Sequence, residues 1–199
     1  FKEELLTPTA FIQSTHNTVG SQVALIMKCH EYNYTYTHRG FSFETSVMDA
    51  LMSLNEGKKN ILIGGIEEHT PLFVELNRNA KKFNTDTTHP LFEGKTHGIQ
   101  MGEGSAFFAV SSEKQHAKSC IDGISLLYKP KSSKEVLDKV NSFLATEDTT
   151  LDTIDLVLFG FSGDYDFDKY LLELLPLVSN NSATAHYKHL CGDYHTAGA

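Results

Sequence analysis

The strongest constraint on the fold is a pair of apolar runs set among amphipathic segments. "NILIGG" (60–65) is apolar after its first residue and ends in two glycines, and "IDLVLFGF" (154–161) is apolar from Leu156 on apart from its glycine. Neither alternates polar with apolar residues, so both read as strands, and 60–65 reads as buried on both faces. Around them the spacing switches to the helical period. Phe43, Val47, Ala50, Leu51 and Leu54 recur at i, i+4, i+7, i+8 and i+11, with Ser42 placed to cap the helix and Gly57 to stop it. Asn17 opens an earlier helix carrying Val19, Val23, Ala24 and Ile26, and three more are expected over 72–83, 134–145 and 167–176, the last closed by Pro176. "NYTYT" (33–37) and "GEGSAFFAVSS" (102–112) read as further strands, separated by a polar loop with Pro90, Gly94 and Gly98. Strands alternating with helices predict βαβ units around a mostly parallel sheet.

Composition narrows the function classes. The 199 residues suffice for one α/β domain or two small lobes. A net charge of −8 works against general nucleic-acid binding, although Lys58-Lys59 and Lys81-Lys82 offer local basic pairs. The longest apolar runs, such as "VALIM", are too short to span a bilayer. Three widely spaced cysteines (Cys29, Cys120, Cys191) do not make a disulfide framework and suit a reducing cytoplasm. A composition shift near 111–120 divides the chain into halves, 1–115 and 116–199.

Four stretches, in order, carry a resemblance. They are "THNTVGSQVAL", "GFSFETSVMDALMSLNEGKKNILIGGIEEHTP", "MGEGSAFFAVSSEKQHAK" and "YKHLCGDYHTAGA". Together the sequence resembles the β-ketoacyl-acyl-carrier-protein synthases of the thiolase superfamily over residues 11–199. The stretches match that family's asparagine-containing helix, its nucleophile helix and Gly-Gly strand, its "GEGA" strand, and its lysine-containing C-terminal motif. The resemblance implies an α/β fold of layered αβαβα architecture, usually dimeric. It also implies an incomplete domain, since family members begin with another βαβ segment before Phe1 and continue past Ala199.

The same resemblance says where the chemistry belongs. A Cys thiolate at a helix N-terminus takes an acyl chain from a carrier thioester, its pKa lowered by the helix dipole. Two histidines then assist decarboxylation of the extender and stabilise the enolate. Counting back from Gly57 places Gly40 in the nucleophile slot, and a two-residue adjustment places Ser42 there. Ser42 would need a base such as His38, and the plainer reading is a helix cap. Phe159 stands in the first histidine slot, followed by the family's glycine at Gly160. Asp193 stands in the second, after Gly192. Lys188 falls on the family's lysine, where a salt bridge to Asp193 is the simple alternative. His195 lies two residues beyond Asp193, a shift of several ångströms that takes it outside catalytic tolerance.

Other clusters read as structural. Asp164, Asp166 and Asp168 alternate like a calcium loop but lack its glycine at the sixth position and glutamate at the twelfth, so a solvated helix-capping loop is expected. His186, His189, Cys191 and His195 match no zinc spacing. Cys191 reads as a packed thiol, and His69, His97 and His116 as surface or loop residues.

A scaffold kept while its three catalytic slots are substituted resembles a chain-length factor. The resemblance therefore implies a non-catalytic subunit of fatty-acid or polyketide-type biosynthesis, without cofactor or metal. Its partners would be an acyl carrier protein and an active ketoacyl synthase subunit, as a heterodimer, with a homodimer as the other arrangement. Phe41, Phe43 and Met48 would line an acyl pocket, although helical spacing makes Phe43 and Met48 read more simply as core. The alternatives are an acyltransferase or thioester hydrolase using Ser42 with His38 or His195, and a module that only binds the carrier. An acidic carrier would need a focused basic patch on this acidic chain.

Overall fold

The computed structural model describes residues 8–84, 96–178, 180 and 182–194. Residues 85–95, with Pro90 and Gly94 of the expected loop, and His195 lie outside the described residues.

Two short helices, α1 (Pro8–Gln13) and α2 (Thr18–Ile26), lead in. The expected strand 33–37 is not a strand and has no strand partner among the described residues. Its tyrosines and the preceding Tyr32 contact one another instead, with Tyr32 stacked on Tyr34 at 6.1 Å and Tyr34 against Tyr36 at 4.9 Å. A single 3-10 turn, Arg39–Phe41, then feeds α3 (Ser42–Asn55). Gly57, at φ +100°, ends that helix in a conformation L side chains rarely adopt.

Strand β1 (Asn60–Glu67) pairs antiparallel with β2 (Gly104–Ser111), Asn60 opposite Ser111 and Glu67 opposite Gly104. Between them in sequence lies α4 (Pro71–Asn79), capped by Thr70, whose hydroxyl accepts from the Phe73 N–H at 3.3 Å. One face of the hairpin packs on α3. Val47, Ala50 and Ile63 form its core, with Phe43, Leu51, Ile61, Val110 and Ile124 against them. The other face carries Leu62, Ile66 and Phe107, all exposed. The strand expected to be buried on both faces is thus covered on one: its apolar run is continuous, but only one helix among the described residues lies against it.

The second half holds α5 (Ser133–Thr146), β3 (Leu156–Phe159), α6 (Tyr165–Val178), β4 (Ala183–His186) and the one-turn α7 (Lys188–Cys191). Strand β3 pairs parallel with β4, Phe159 opposite His186. Parallel neighbours need a crossover, which α6 supplies. The sheets are therefore one antiparallel and one parallel pair among the described residues, rather than mostly parallel. Pro176 sits inside the last turn of α6, two residues before its end, where the missing N–H costs a single intrahelical bond.

The segment 96–102 is bonded to the turn after β3 and to the chain after α7. Gln100 N–H donates to the Ser162 carbonyl (3.1 Å), and Gly102 N–H to that of Asp193 (2.9 Å), while Asp193 N–H returns to Gln100 (2.6 Å). Gly102 and Gly192 meet backbone to backbone here. A Cβ on Gly102 would fall 2.1 Å from the Cys191 carbonyl oxygen, and Gly192 has φ +78°.

Candidate functional site

The first turn of α3 and the α7 turn are electrostatically linked, and the end of β3 runs beside them. The centre is Lys188, whose ammonium makes a short contact with the Asp193 carboxylate. Both side chains are largely buried, at 17% and 15% exposed. A Cβ on Gly160 would meet Lys188 Cε at 3.5 Å, so the β3 end runs directly beside the lysine. The Glu44 carboxyl, on the first turn of α3, feels Lys188 and Asp193. Burial pushes its pKa up, opposed by its own backbone N–H and by Lys188, and supported by Asp193. Glu44 Oε2 is buried with no hydrogen-bond partner among the described residues. Sequence reasoning passed over Glu44. Its only local signal was a charge one turn into a helix whose other face is apolar.

Beside this group, Asp168 orders the turn after β3. It accepts from Ser162 N–H (2.9 Å), Ser162 Oγ–H (3.0 Å) and Gly163 N–H (2.8 Å). Burial is the leading influence on its carboxyl and raises the pKa; these three bonds and Lys188 pull the other way. Burial likewise raises the Tyr187 phenol.

The expected site residues can now be placed. Gly40 has open space where a side chain would stand. Ser42 is buried, and its hydroxyl donates to the Arg39 carbonyl (2.7 Å) while accepting from His38 N–H (2.8 Å). It is the first helical residue, and Phe41 occupies the cap position. Ser42 thus clamps the preceding 3-10 turn instead of capping α3, because the hydroxyl reaches back to that turn. The His38 ring nitrogen lies 3.5 Å from Thr45 Oγ1. Phe159 is turned into the core, stacked on Phe161 at 5.2 Å and packed with Val178, Val157 and leucines of α6. Phe41 stands edge-on to Tyr128 at 6.2 Å, Phe43 edge-on to Phe108 at 5.9 Å, and Met48 is exposed at 37%.

Cys191 is exposed, not packed, since it ends a one-turn helix at the surface. His69 is the loop residue of the two alternatives and not a surface one: its side chain is 2% exposed. Its Nε2–H donates to the Gly102 carbonyl (3.0 Å), its N–H donates to Glu103 (2.6 Å), and its ring stacks on Phe73. A turn residue after β1 is buried because the strand-like segment 99–102 folds over it.

No family model matches this sequence, and no curated protein matches it. Solved structures do. A β-ketoacyl synthase from Burkholderia phymatum superposes with a TM-score of 0.73 at 18% identity, covering 98% of this chain and 52% of the other. The ketosynthase from module 6 of the bacillaene synthase of Bacillus subtilis gives 0.68 at 15%, covering 97% and 39%. A type II polyketide ketosynthase solved with its acyl-carrier protein gives 0.61 at 14%, covering 92% and 51%. The fold is that of a ketosynthase. It is α/β and thiolase-like, and the chain spans 39–52% of the length of these ketosynthases. Among the described residues, no helix is long and apolar enough to cross a membrane.

Proposed function

We propose that this ketosynthase-like chain acts in fatty-acid or polyketide-type biosynthesis as a non-catalytic subunit. In this role it shapes an acyl pocket beside an active ketosynthase and meets an acyl-carrier protein, in the manner of a chain-length factor. The observation that carries the reading is the Lys188–Asp193 contact. The lysine that resemblance assigns to supporting a histidine pair is neutralised by the carboxylate standing in one histidine slot. Gly40 offers no nucleophile. The Ser42 hydroxyl proton is engaged by a main-chain carbonyl, which leaves it unsuited to attack without a base in reach. The Phe159 ring lies in the core and has no proton to transfer.

The test is reconstitution with an active ketosynthase from the same source and its acyl-carrier protein. The expected result is a stable complex whose product chain length differs from that of the ketosynthase alone. A fluorophosphonate or acyl-thioester probe should leave Ser42 unlabelled. Turnover of acyl thioesters by this chain alone, lost in Ser42→Ala, would establish the hydrolase or acyltransferase alternative instead.

A further inference from the structure

We propose that His97, Asp164 and Asp166 form a binding site for a divalent first-row transition-metal cation. From sequence, Asp164, Asp166 and Asp168 formed the only cation pattern in this stretch, and it failed the calcium-loop test. The fold changes the set. Asp168 faces away and spends its oxygens on Ser162 and Gly163. His97 replaces it, brought to the start of α6 by the bonds from Tyr165 N–H to the Thr96 carbonyl (3.0 Å) and from Thr96 Oγ1–H to the Gly163 carbonyl (2.9 Å). One donor atom from each of His97, Asp164 and Asp166 lies within 4.8 Å of the others. His97 Nδ1 and Asp166 Oδ2 are 3.2 Å apart, the separation expected of neighbouring ligands on bonds of about 2.0–2.2 Å.

The three ligands divide the work. Asp164 is 9% exposed and fixed, with Oδ2 accepting from Gly98 N–H (3.0 Å) and Oδ1 from Asp166 N–H (3.0 Å). A carboxylate offers about four acceptor sites, so both oxygens keep capacity for a cation. Such hydrogen bonds are what orient ligating carboxylates in metal sites. The other two side chains are 69% and 62% exposed and paired with each other, a contact that an ion entering from solvent would replace with two metal bonds. Two carboxylates balance a divalent charge, and the imidazole favours zinc, cobalt or iron over calcium or magnesium. Three protein ligands leave coordination positions for water or an external group. The site is separate from the Glu44, Lys188 and Asp193 group and does not depend on the proposed function.

The probe is Co2+, added to the whole protein and followed by visible absorption, whose spectrum distinguishes nitrogen and oxygen ligands from the exposed thiols. The expected result is saturable one-to-one binding without thiolate charge-transfer bands, weakened at least about tenfold in each of His97→Ala and Asp166→Asn. Both residues are exposed, so the folded protein should survive these changes. His30→Ala, elsewhere on the surface, should leave the affinity unchanged. Absence of saturable binding, a thiolate spectrum, or binding insensitive to both variants would overturn the proposal.

Discussion

Glu44 is the residue whose environment is most at odds with its chemistry. A carboxyl on the first turn of a helix normally gains from the dipole and solvent, but here one oxygen is buried without a partner among the described residues. Its pKa is raised, so between the unfolded value of 4.5 and the folded one the native state holds more protons than the unfolded state. Stability contributed by this residue is therefore full below pH 4.5 and declines as pH rises through the folded pKa. Glu44→Gln removes the charge at nearly constant shape. The variant should melt higher than the parent at pH 7–8, with the difference fading below pH 4.5, as measured by thermal unfolding across pH. An equal or lower melting temperature for the variant at pH 8 would mean that Lys188 more than offsets the burial.

At the scale of elements, the α6 start is tied to the β3 end by one side chain. Asp168 gathers three donors from Ser162 and Gly163 and is only 4% exposed. Asp168→Ala leaves those donors buried and unpaired, while relieving the cost of burying a carboxylate. The first effect is larger, and a loss of about 2 kcal/mol in urea unfolding is expected. A change below about 0.5 kcal/mol would show that the turn holds itself. Helix α3 and β1 are joined differently, by the Val47, Ala50 and Ile63 core, so this change should leave the packing of β1 on α3 intact.

For the whole molecule, the telling feature is the outer face of the β1–β2 hairpin. Leu62, Ile66 and Phe107 are 42–48% exposed, and Phe107 lies across Gly64, where a Cβ would come within 2.2 Å of its ring. Contiguous apolar surface of this kind binds apolar probes and promotes association. Fluorescence of bound anilinonaphthalene sulfonate should fall by about half in Phe107→Lys, with the melting temperature moving less than about 2 °C. An unchanged dye signal would place the exposed apolar surface elsewhere.

The order of most elements was legible in the residues, because local periodicity reports which face of a segment is apolar. Thus α3 runs from Ser42 to Asn55, with Gly57 just past its end as expected, and the segments 60–65 and 102–112 fall on the paired strands β1 and β2. Periodicity does not report which distant segment meets that face. Only the tertiary structure made the β1–β2 pair antiparallel, left 33–37 without a strand partner among the described residues, buried the His69 side chain, and turned Phe159 into the core. It also brought Glu44 to Lys188 and His97 to Asp164, across sequence separations that no local pattern encodes. Residue types and their spacing determined the elements and the slots. Contacts between distant segments, each competing for burial and for backbone hydrogen bonds, decided what stands in each slot and what it touches.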